Sequence, residues 1–142
     1  KYQLTCPLDE GEEGDIWCGK CSECAKLYSI MKALNVDVKK RGFKTDMLTK
    51  ENKKFFTLFE GEDVLAYDRP NESREEQLLT FYMAYKNKAK GDLIEEFKKR
   101  FLDEAKQRED ELYGKYMASA QPENIPIELR KDIMSIIKEE LR

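Results

Sequence analysis

From Ala25 onward the apolar positions of this chain recur with the period of an α-helix. Leu27, Ile30, Met31 and Leu34 fall at i, i+3, i+4 and i+7, which predicts an amphipathic helix ending near Asn35, with Gly42 as later punctuation. A second helix is expected from about Thr49, with Phe55, Phe56 and Phe59 on one face before Gly61. Residues 62–71 read as a short extended segment closed by Pro70. Ser73 and Glu76 then have the spacing of a capping box. Behind them Leu78, Leu79, Phe81, Tyr82, Met83 and Tyr85 place apolar groups most of the way round, so this helix should lie at the centre of the fold.

Gly91 ends that segment, and Asp92 with Glu95 offers a similar cap to a long helix. Its stripe is Ile94, Phe97, Phe101, Ala105, Leu112 and Tyr116, interrupted by Arg108. At about 1.5 Å per residue, roughly 25 residues would make a rod nearly 40 Å long, with a charged far half projecting from the core. Residues 121–126 read as a linker. Pro126 suits the first turn of a last helix carrying Leu129, Ile133, Ile136, Ile137 and Leu141.

Residues 1–24 have no such periodicity. They contain every cysteine of the chain, Cys6, Cys18, Cys21 and Cys24, in the pattern C-x11-C-x2-C-x2-C. A tetrahedral ion needs four ligands, and a C-x2-C turn presents two at once. The chain has no histidine, so a mixed site is ruled out. The acidic loop between Cys6 and Cys18 closes a cage at small entropic cost, because loop-closure entropy grows slowly with length. The expected fold is therefore mainly α: a four-cysteine metal knuckle over 1–24, then a helical domain of about five helices over 25–142.

Zinc is the first reading of the metal, with Cys6, Cys18, Cys21 and Cys24 as ligands. Four thiolates and no open position make a structural rather than a catalytic site. Lys20 and Lys26 would offset part of the charge of a zinc tetrathiolate centre. The alternative is an iron–sulfur cluster, since C-x2-C-x2-C also opens a ferredoxin-type run and Cys6 is followed by Pro7; here, however, the Cys-Pro pair lies upstream of the triplet. Free thiols or a redox pair are the remaining alternative.

Composition narrows the setting. Apolar residues are 40 % and aromatic ones 11 %, enough for a packed core and against disorder. Charged residues reach 39 %, which fits long exposed helix faces. No apolar run has the length of a membrane span, and clustered cysteines suit the reducing cytoplasm. The net charge of −3 provides no overall basic field for nucleic acid. Lys39, Lys40, Arg41 and Lys44, with Lys86, Lys88, Lys90, Lys98, Lys99 and Arg100, are a candidate phosphate or RNA surface, although nearby acids dilute their field. Trp17 reads as packing over the metal loop, with base stacking as the alternative. Asp9, Glu10, Glu12, Glu13 and Asp15 read as a solvated loop, with Mg2+ beside a nucleotide as the alternative. Arg69, Glu72 and Arg74 flank Pro70 at a helix start where an anion could sit.

The upstream cysteine and the segment WCGKCSECAKLYSIMKAL resemble the C-terminal zinc site of PP-loop ATP pyrophosphatases. The CGKC element is shared with 7-cyano-7-deazaguanine synthases. The knuckle running straight into an apolar helix is similar to the epimerases that act on UDP-N-acetylmuramoyl-L-alanyl-L-glutamate. The resemblance is strong over about residues 6–34 and weak to about residue 85. It implies a zinc knuckle bracing the edge of an active site, with an upstream nucleotide-binding domain as its partner. No SGGxDS-type loop is present, so the piece alone should not hydrolyse ATP. The other expectation is a stand-alone zinc-helical interaction module, pairing with a partner or its own copy through the long helix.

Overall fold

A computed structural model describes residues 17–62, 70–117 and 126–140. Among them the chain forms six α-helices, two short 3-10 turns and no strand, with three cysteines gathered before and in the first helix. The fold is mainly α, as the periodicity predicts, with a cysteine knuckle where the cysteine spacing placed one. The helices are α1 (Ser22–Ala33), α2 (Pro70–Lys86), α3 (Asp92–Arg100), α4 (Leu102–Gln107), α5 (Glu109–Tyr116) and α6 (Ile127–Glu140). The chain divides into two compact units, one through Glu109 and the other from Asp110.

In the first unit α2 is the central element. Leu78, Leu79, Phe81, Tyr82 and Ala84 are all buried, while Met83 and Tyr85 are half-buried. Around it Phe56, Phe59, Phe81, Phe97 and Phe101 form a cluster of mostly edge-on rings, with Phe56–Phe81 and Phe59–Phe81 centroids 5.2 and 5.1 Å apart. Each such pair adds about 0.5–1.5 kcal/mol beyond the area it buries.

The helix expected from Thr49 is instead two 3-10 turns, Lys50–Phe55 and Thr57–Phe59. The phenylalanines still reach the core, and a polar side chain stabilises the break between the turns. Gln77, buried in α2, accepts the Leu58 N–H at 2.9 Å and donates to Ser73 Oγ at 3.1 Å. Ser73 is therefore not the expected N-cap. Helix α2 already starts at Pro70, whose missing N–H costs nothing in a first turn, and Ser73 is an internal residue 5 % exposed. Most of the predicted extended segment, residues 63–69, lies outside the described residues.

The cap expected from Asp92 and Glu95 is not formed either. Gly91, at φ +146°, brings the chain against Leu48, whose carbonyl accepts the Leu93 N–H at 3.0 Å. That bond satisfies a donor a capping side chain would serve. The Asp92 carboxylate instead accepts the N–H of Lys50, at the start of the first 3-10 turn.

The single long helix is interrupted twice, at Phe101 (φ −126°) and Arg108 (φ −104°). Both residues are held by side chains outside the rod. Phe101 packs on Phe59 and lies under the guanidinium of Arg74, and Arg108 pairs with Glu75 of α2. The backbone leaves ideal helix values where these anchors act, while Ala105 N–H still bonds Phe101 O at 2.9 Å.

In the second unit Leu112 is buried and Tyr116 half-buried. Helix α6 starts directly after Pro126, as expected. Three of its described apolar residues are exposed, Ile127 at 78 %, Leu129 at 48 % and Ile136 at 59 %, while Ile133 and Met134 are half-buried.

Candidate metal centre

Helix α1 is oriented by cysteines rather than by its leucine stripe. Its buried residues are Ser22, Cys24, Ala25, Tyr28, Ser29 and Ala33. The stripe of Leu27, Ile30, Met31 and Leu34 lies on the opposite side, half-buried for the first three and 54 % exposed at Leu34. This reverses the usual sense of the apolar face. At 3.6 residues per turn, Cys21, Cys24, Ala25 and Tyr28 share one face. If Cys21 and Cys24 are to meet Cys18, that face has to turn inward.

The local geometry follows from short-range bonds. Gly19, at φ +62°, turns the chain so that Lys20 N–H points at Cys18 Sγ, 3.4 Å away. Cys21 is the N-cap of α1, and its sulfur accepts the N–H of Cys24 at 3.4 Å. The sulfurs of Cys18, Cys21 and Cys24 all lie within 4.8 Å of one another, with Cys18 and Cys24 only 3.6 Å apart. Around one tetrahedral ion with metal–sulfur bonds of about 2.3 Å, sulfurs would be about 3.8 Å apart. A disulfide would need about 2.05 Å. The three thiols are placed to hold a metal ion.

Burial raises the pKa of the Cys24 thiol well above its ordinary value, and the nearby Cys18 and Cys21 sulfurs add to this, against a lowering backbone bond from Gly19. A bound cation would reverse that balance, because it neutralises the thiolates that burial disfavours. Cys6, the fourth expected ligand, lies outside the described residues, as does the acidic loop of Asp9, Glu10, Glu12, Glu13 and Asp15.

One wall of the site comes from residues that the periodicity does not single out. After α1 the chain folds back, and Phe43 enters between Trp17 and Tyr28. The Trp17 and Phe43 rings stack 5.3 Å apart at 7°, and Tyr28 meets Phe43 edge-on at 5.2 Å. Trp17 Nε1 also donates to the Arg41 carbonyl at 2.8 Å. Trp17 is thus packed at the knuckle, with Phe43 as its partner. A Cβ on Gly19 would lie 3.1 Å from Thr45 Oγ1, so this loop sits directly against the knuckle turn. The only sequence signal for this wall was one aromatic residue amid the charges of KKRGFK.

Other expected residues are engaged elsewhere. Lys26 pairs with Glu76 at 3.1 Å. Arg74 grips both oxygens of Glu104 at 2.9 Å; Arg69 lies outside the described residues. Lys20 is exposed beside the cysteines. No helix among the described residues is long and apolar enough to cross a membrane. The comparisons identify no relative: no family model, no curated protein and no solved structure matches this chain.

Proposed function

We propose that this chain is a structural zinc module whose four thiolates, from Cys6, Cys18, Cys21 and Cys24, tie the N-terminal segment to helix α1. The observation that carries it is the convergence of three cysteine sulfurs within 4.8 Å. Zinc is favoured over an iron–sulfur cluster by this spacing. A cluster inserts several iron and sulfide atoms between its cysteines and spreads them farther than the ligands of one ion. With four protein ligands the zinc would supply a cross-link and no open position for a substrate. Since the unfolded chain has no preformed cage, metal binding adds directly to folding free energy.

On this reading the module is the C-terminal part of a PP-loop ATP-pyrophosphatase-like enzyme of the reducing cytoplasm. It braces the active site and performs no chemistry alone. The support is the WCGKCSEC knuckle running into α1. The second reading, an interaction module, is favoured by the exposed Ile127, Leu129 and Ile136 of α6. Such a module would bind a partner protein or a second copy.

Metal analysis with absorption spectroscopy tests the site. The expected result is about one zinc per chain, no visible colour, and loss of helicity on chelation. A brown protein with charge-transfer bands would replace zinc with a cluster, and full helicity after complete metal removal would sink the folding role. Sequencing the parent gene tests the enzyme reading, which requires an upstream domain with an SGGxDS-type loop.

A further inference from the structure

We propose that Lys20, Lys39, Lys40 and Arg41, gathered around Trp17, form a docking surface for a single strand of nucleic acid. This goes beyond the bracing role and does not depend on which enzyme the knuckle belongs to.

The basis is where the fold places the exposed cations of the first unit. Six cations are paired internally, Lys26 with Glu76, Lys53 with Glu96, Arg74 with Glu104, Lys86 with Glu109, Arg100 with Glu96 and Glu60, and Arg108 with Glu75, whereas Lys98 and Lys99 of α3 are exposed and make no ion pair among the described residues. Lys20, Lys39, Lys40 and Arg41 are all exposed and have no carboxylate partner among the described residues. The acid nearest in sequence does not neutralise them by pairing. Asp37 Oδ1 accepts the backbone N–H groups of Lys39 and Lys40 at 3.1 and 3.4 Å. Asp46 likewise accepts the N–H of Leu48 at 2.9 Å.

The tertiary fold fixes the backbone turn that carries three of these cations. Lys39, Lys40 and Arg41 lie on a turn closed by the Gly42 N–H to Lys39 O bond and the Phe43 N–H to Val38 O bond, both 3.1 Å. Phe43 anchors that turn on Trp17 and Tyr28, and the Arg41 carbonyl is bonded to the indole. Exposed cations on a turn packed against a partly exposed indole suit an extended phosphodiester chain, with its backbone on the lysines and a base against the ring. Small anions are held in concave pockets, which a turn presenting exposed side chains is not. The overall charge of −3 is no obstacle, because at physiological salt fields decay over about 8 Å and the local array dominates.

Trp17 is the only tryptophan, so its fluorescence reports on this surface alone. The test titrates the metal-loaded full chain with a uridine 12-mer. The expected result is quenching of Trp17, with a log–log salt slope of about −2 to −3 for three or four backbone contacts. The triple variant K39E/K40E/R41E should weaken binding by roughly tenfold or more. The control K98E/K99E, which alters exposed lysines of α3, should leave binding within about twofold. Circular dichroism must show both variants folded; should the charge reversal unfold, K39Q/K40Q replaces it with the same direction of effect. Equal losses in the two variants would reduce the effect to unspecific charge and overturn the proposal. So would saturable quenching by inorganic pyrophosphate that displaces the strand, or no quenching at all.

Discussion

Trp17 lies flat on Phe43, 5.3 Å between centroids and 7° between planes, and this stack fastens the loop after α1 onto the knuckle. Phe43 is only 4 % exposed and also meets Tyr28. The residue just before the first clustered cysteine is thereby tied to the helix that carries the last one.

Phe43→Ala should therefore weaken the metal site without touching a ligand. A buried phenylalanine truncated to alanine costs about 3–5 kcal/mol. The expected result is a lower denaturation midpoint, red-shifted Trp17 emission and faster metal loss to a chelator. Unchanged emission would show that the stack does not hold in solution.

Cys21 has two separable tasks, sulfur donor and N-cap. Cys21→Ser and Cys21→Ala should both lose metal affinity. Serine, however, keeps an acceptor for the Cys24 N–H, so in chelator it should be more stable than alanine by about 1 kcal/mol. Urea denaturation of the two variants measures the difference, and equal stabilities would dismiss the cap.

The Arg74–Glu104 pair gives the fold an acid-sensitive contact. The Arg74 hydrogen bonds hold the Glu104 carboxyl below its ordinary 4.5, despite some desolvation. A depressed carboxylate contributes its stability above the unfolded value, and loses it as pH falls through the folded one. Both side chains are about a third exposed, at 37 % and 34 %, so Glu104→Gln should cost under about 1 kcal/mol at pH 7. That gap should close as pH drops well below 4.5, which thermal melts across the acid range would show.

Two glycines should respond to alanine in opposite directions. A Cβ at Gly61 would lie 2.8 Å from Phe56 O and closer still to the Lys54 carbonyl, both backbone atoms with little room to yield. Gly61→Ala is expected to cost about 1–3 kcal/mol by overpacking. Gly114, within α5, has nothing within 4 Å, and alanine there should add about 0.5–1 kcal/mol through helix propensity. Destabilisation at both positions would contradict the described backbone.

Helices were legible wherever burial agreed with period. The crowded apolar residues of α2 placed it at the centre, and Pro126 marked the start of α6. Local signals failed where a distant partner took over their task. Ser73 looked like a cap but bonds Gln77; Asp92 looked like one but serves Lys50. The rod through Phe101 and Arg108 was broken by contacts with Phe59 and Glu75. In the candidate site the cysteine spacing was readable at once. The role of Phe43 was not, because nothing in a lone aromatic says which rings it will meet.

By itself the sequence determined a mainly helical chain and a cysteine cluster, since both follow from spacing along the backbone. The tertiary structure decided which face of α1 turns inward, and which cations near the knuckle remain without carboxylate partners. The physical reason is that period fixes only which residues share a helix face. The rotation of that face depends on what must be buried, and here Cys21, Cys24 and Tyr28 are buried in place of the leucine stripe.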